Sequence, residues 1–135
     1  MEKQVHVRLT TIIRQPGEQE QKTEFQARGT LTEKNGRRYL RYAESQDGLD
    51  IRTMVKFREQ EVVIVRSGGL QMRLPFILNK EQTGNYTNEH SFMLTTKTHE
   101  LHVSNTRLHV RYDLVIGADY IGEYEMEIQF TEGSA

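Results

Sequence analysis

Apolar and polar residues alternate along most of this chain with a period of two, the pattern of strands that bury one face. Val5, Val7, Leu9, Thr11 and Ile13 alternate with His6, Arg8 and Thr10. Leu40, Tyr42 and Glu44 oppose Tyr39, Arg41 and Ala43. Ile51, Thr53, Val55 and Phe57 oppose Arg52, Met54, Lys56 and Arg58. The stretch from Glu61 to Phe76 is the most apolar. It combines a β-branched run, Val62 to Val65, with a Gly68-Gly69 turn expected to supply positive φ angles. Leu70, Met72, Leu74 and Phe76 then share one face. No segment sustains a 3.6-residue repeat.

The turns divide these strands. Pro16-Gly17 ends the first, and Glu20 to Lys34 reads as a second with a thin apolar face and a bend at Gly29. Asn35-Gly36 is a type I′ hairpin signal, because both residues tolerate left-handed angles. Asp47-Gly48 marks another turn. Asn79 to His90 is polar and reads as a long loop or an edge strand. A strand from Ser91 to Thr98 follows, then a separate short one at Leu101 and Val103. The last hairpin allows a register: Val115 with Ile121, Tyr112 with Tyr124, Val110 with Met126. Outside, that register sets Arg111 opposite Glu125 and His109 opposite Glu127, which favours it; Asp113 against Glu123 counts against it. About eight to ten antiparallel strands joined in order predict one all-β domain, a closed or nearly closed up-and-down barrel or a sandwich. With two prolines and few inward charges to guard sheet edges, the barrel is favoured.

Composition narrows the function classes. In 135 residues, apolar side chains make up 36% and charged ones 27%, and mean hydropathy is −0.70, which suits sheets with one wet face. The net charge of −1 lacks the basic excess of a nucleic-acid binder. The absence of cysteine excludes disulfides and thiolate chemistry. No apolar run reaches spanning length and the N-terminus lacks a signal-peptide core, so a cytoplasmic protein without membrane or nucleic-acid partners is expected.

Tyr39 to Glu44, Val63 to Gly68, Met72 to Phe76, Leu108 to Leu114 and Ile121 to Ile128 resemble, in that order, the YwiB-like bacterial proteins of unknown function. The likeness runs from about Val5 to Phe130 and is weakest over Asn79 to Glu89. It implies a lipocalin-like (calycin) β-barrel and a bacterial, Gram-positive origin. It implies no particular ligand and carries over no catalytic residue.

The candidate chemistry is a polar set on otherwise apolar faces. Glu44 lies on the Leu40–Tyr42 face, Arg66 shares the parity of Val62 and Ile64, and Tyr112 and Tyr124 sit among inward residues. A charge turned inward must be paired, so Glu44 and Arg66 are each other's expected partners. Tyr42, Glu44, Arg66, Tyr112 and Tyr124 are therefore the candidate ligand-binding residues; an internal salt bridge closing a filled barrel is the competing explanation. Five histidines raise a metal reading. His99 and His102, three apart on a strand, should point to opposite faces, so no metal site and no cofactor are expected. Arg37, Arg38 and Arg41 around Tyr39 resemble a stacking platform for single-stranded nucleic acid, which the overall charge disfavours. The leading expectation is a non-enzymatic barrel holding a small, partly apolar ligand. The alternative is a filled barrel that acts through its outside or by self-association. A third is an enzyme with Glu44 as general acid or base.

Overall fold

The computed structural model describes residues 2–46 and 48–132, so Asp47 of the expected Asp47-Gly48 turn lies outside the described residues. Among them, ten antiparallel strands run up and down in chain order: β1 Glu2–Arg14, β2 Gln21–Lys34, β3 Arg37–Gln46, β4 Leu49–Arg58 and β5 Glu61–Gly68. They continue with β6 Gln71–Ile77, β7 Glu81–Thr87, β8 Ser91–Val103, β9 Arg107–Ile116 and β10 Asp119–Glu132. Each pairs with its sequence neighbours, and β1 pairs with β10 from Val5↔Glu132 to Arg14↔Glu123, which closes the barrel.

The turns behave largely as their residues predict. Asn35 and Gly36 both take positive φ, +55° and +75°, as a type I′ turn requires. Of Gly68 and Gly69, only Gly68 does. The polar segment after Ile77, expected as a loop or edge, contains β7, a strand paired on both sides. Its pairing with β6 is confined to Gln71–Arg73 and stops before Pro75, which has no N–H to donate. There β7 crosses close over β6 at Gly84, the reason a residue with a side chain is excluded. A Cβ on Gly84 would overlap the Arg73 carbonyl oxygen and press on Pro75 Cδ at 2.8 Å. Gly84→Ala is therefore expected to cost about 1–3 kcal/mol, read as a lowered urea midpoint. An unchanged midpoint would mean that β6 and β7 part freely.

The proposed hairpin register of β9 and β10 holds from Gln129↔Arg107 to Gly122↔Leu114, including Tyr124↔Tyr112 and Met126↔Val110. It fails at the turn, where Val115 pairs with Tyr120 because a bulge skips Ile121. The unfavourable Asp113↔Glu123 pairing is real but relieved. His99 Nε2 and Tyr120 OH hold Asp113 at 2.8 and 3.2 Å, while Arg14 and Arg111 hold Glu123 at 3.0 and 3.3 Å. Side chains on this wall slant one step along the strand, so Arg107 rather than His109 bonds Glu127. His109 bonds Glu125 instead. A second bulge, at His99, makes Ser91–Val103 one strand rather than two.

The two halves of the interior differ. At the end holding the β1 N-terminus, Val7, Leu40, Phe57, Val62, Phe76, Leu108, Ile128 and Phe130 fill the lumen almost without exposure. Ten strands make a wider tube than eight, so aromatic volume is needed to fill it. Phe57 and Phe130 meet at 5.5 Å. Arg38 caps them, its guanidinium 4.6 Å from the Phe57 centroid and bonded to the Ser104 and Asn105 carbonyls. Burial lowers its pKa, partly offset by Glu33. The supposed arginine platform is thus divided: Arg38 closes the barrel, and Arg41 lies over Tyr39, 5.6 Å from its centroid.

Candidate ligand-binding cavity

The other half of the lumen is open, and Thr11, Thr23 and Thr53 are among the residues that line it. β2 leaves β3 beyond the Gly29↔Tyr42 pair, so the first half of β2 bonds only to β1 and the last residues of β3 only to β4. Gly29, placed at the expected bend, is buried at this fork. The result is a cavity of about 790 Å³ beneath the turns that join β1 to β2, β3 to β4, β5 to β6, β7 to β8 and β9 to β10. Its walls are mainly apolar, from Leu9 and Ile13 on β1 to Ile116 on β9 and Met126 on β10. Leu49, Phe92, Met93 and Tyr120, the exposed large hydrophobics among the described residues, all lie in the first residues of strands that descend from this mouth.

All five residues singled out from the sequence line this one cavity. Their strands place them there by simple parity: Tyr42 is in register with Thr53 of β4, and Thr53 with Arg66 of β5. Arg66 Nη2 donates to Glu44 Oε1 at 2.7 Å, a diagonal that passes over β4. Both side chains are largely shielded, with 23% and 13% of their surfaces exposed, so the contact is a short charge-assisted hydrogen bond in a screened setting. It leaves the second carboxylate oxygen and the rest of the guanidinium fork to other partners.

The phenols build the aromatic wall. Tyr112 packs on Phe76 at 4.5 Å and stacks on Tyr124 at 5.5 Å, joining the filled half to the cavity. Phe25 meets Tyr42 at 6.0 Å. Burial, then the Glu44 charge, pushes the Tyr42 phenol up to about 12, against an opposing pull from Arg66. Burial raises Tyr112 further, with Tyr124 adding to it and Arg66 opposing, and burial alone raises Tyr124. These groups remain neutral hydrogen-bonding phenols at ordinary pH.

Sequence reading missed Thr53, Phe25, Met72, Tyr86 and Phe92, which line the same space. Thr53 is the most informative. It is 3% exposed, and its hydroxyl lies near enough to the Tyr42 phenol to favour the phenolate slightly. Yet it makes no hydrogen bond of good geometry. A polar residue in the run Ile51, Thr53, Val55, Phe57 was the available signal. The metal reading also changes. The His99 bulge turns Glu100 and His102 outward together on the β8–β9 wall, where His99 itself reaches Asp113, so the two histidines do not point to opposite faces.

A model of a domain of unknown function, DUF1934, matches residues 7–128. The chain belongs to this family. It is 27% identical over 135 residues to an uncharacterized β-barrel protein, YwiB, from Bacillus subtilis (strain 168), covering 96% of this chain and 94% of that one. The crystal structure of the ywiB protein from Bacillus subtilis superposes with a TM-score of 0.83 at 22% identity, over 98% of this chain and 94% of the other. Family and barrel thus agree with the resemblance read from the strand motifs.

Proposed function

We propose that this protein is a non-enzymatic binder whose barrel takes a small, partly apolar ligand with a polar head into the mouth half. The observation that carries this reading is the cavity itself. At about 790 Å³ it falls in the range of small-molecule sites, roughly 300–1,000 Å³, and joins an apolar wall to a few convergent polar groups. The ligand's apolar part would lie against Phe25, Met72 and Tyr124. Its head would meet the free groups of Glu44 and Arg66 and the unpartnered Thr53 hydroxyl. The apolar mouth residues favour entry from that end. Acid–base catalysis by Glu44 is disfavoured, since the Arg66 guanidinium occupies one of its oxygens.

Native mass spectrometry of protein purified from its own host, compared with the denatured mass, tests the proposal. The expected result is a reproducible extra mass that disappears on denaturation and is strongly reduced in Arg66→Leu. A bare monomer mass under gentle conditions sinks the binding reading. A dimer without adduct does so in favour of self-association.

A further inference from the structure

The outer wall near the closed end carries a second constellation, independent of the cavity. His102 of β8 and His109 of β9 are directly paired across the sheet, their rings stacked at 5.8 Å and 24°. Glu100, two residues before His102, shares their face because the β-bulge at His99 has already shifted the strand's parity. One ligand atom from each of Glu100, His102 and His109 lies within 4.8 Å of the others, and Glu100 Oε2 is 3.8 Å from His109 Nδ1.

Two further contacts prepare this group. His109 is nearly buried, and its Nε2 lies 2.8 Å from Glu125 Oε2. An ionised carboxylate can only accept, so Nε2 donates to Glu125, and in the neutral ring that leaves the Nδ1 lone pair on the side of Glu100 and His102. A carboxylate behind a histidine in this way fixes the tautomer that a metal requires. Glu125 is in turn held by Arg14 at 3.0 Å. Arg111 takes Oε1 of Glu100 at 3.0 Å, which orients that carboxylate while leaving Oε2 directed at the cluster. Ligands at zinc distances stand roughly 3.3 Å apart in a tetrahedron. His102 is exposed and the Glu100 side chain 41% exposed, so both can rotate inward on a fixed His109.

We propose that Glu100, His102 and His109 form a binding site for a divalent cation of the zinc class. Two imidazoles and one carboxylate suit such an ion, and the fourth position faces solvent. The test is calorimetric titration of zinc alone into tag-free, chelator-treated full-length protein. One saturable site is expected, weakened about tenfold or more in His102→Ala and by about 10–100-fold in Glu125→Gln, which touches no metal. His102 is exposed, so its variant should fold normally, and a thermal melt without zinc checks both variants. His90→Ala, in a distant turn, should bind as the parent does. The absence of a saturable site overturns the proposal. So does a site whose affinity survives His102→Ala, since the ion would then be held elsewhere.

Discussion

Phe130→Ala is expected to lower the unfolding free energy by about 3–5 kcal/mol, and Phe25→Ala by only about 1–2 kcal/mol. The two substitutions delete the same side chain at opposite ends of one lumen. Phe130 is 1% exposed, packs on Phe57 at 5.5 Å and helps seat Arg38. It also pairs with Val7 across the β1–β10 seam that closes the barrel. Its removal leaves a void among side chains that cannot collapse, because the strands around it are fixed by hydrogen bonds on both sides. Phe25 stands at the cavity wall, on the part of β2 that bonds to one neighbour only. Much of its surface already faces open space, so little packing is lost. Denaturant midpoints at constant m-value measure the difference, and for a domain of this size it should separate the melting temperatures by roughly 5–15 °C. Equal costs would mean that the mouth half is packed as densely as the closed half.

Alkaline unfolding should be steep, and the interior phenols should cause it. Tyr42 ionises near 12 in the barrel, through burial first and the Glu44 charge second, against about 10 in an unfolded chain. An acid whose folded pKa is raised contributes stability that is fully present below the unfolded value and lost as pH climbs toward the folded one. For Tyr42 alone the loss reaches about 2–3 kcal/mol by pH 12. Tyr112, raised by burial and the neighbouring Tyr124, adds to it in the same window. Tyr42→Phe and Tyr112→Phe should therefore flatten the decline between about pH 10 and pH 12 while changing stability near neutrality by less than about 1 kcal/mol. Chemical denaturation at stepped pH reads this directly. A parent and a Tyr42→Phe variant that decline in parallel would show that the phenol ionises without leaving the interior.

Much of the barrel is legible in local pattern. Alternation assigns Leu40, Tyr42 and Glu44 to one face, and it does so correctly because a strand's side chains have no other geometry available. The β9–β10 register follows from the same rule plus pair preferences. Its unfavourable charge pair, Asp113 opposite Glu123, is relieved in part by Arg14 of β1, a strand about a hundred residues away in the chain. β7 was obscured for a different reason. Glu81 to Thr87 has almost no apolar face, since its inward Gly84 must be bare where β7 crosses over Pro75. The bulges at His99 and Ile121 are invisible to a period-two reading, yet the first decides which way Glu100 and His102 point.

By itself, the sequence determined that this protein is built of antiparallel strands, which residues face inward along their regular stretches, and that Glu44 and Arg66 would have to answer each other's charge. These are properties of a strand and its turns, set over a few residues. Only the tertiary structure decided that β1 meets β10, and that three phenylalanines fill one end of a ten-strand tube. It also decided that the five polar candidates line the cavity left at the other end. The radius of a barrel depends on the number and tilt of all its strands together. Whether a given inward side chain meets a partner or open space is therefore not written in any one of them.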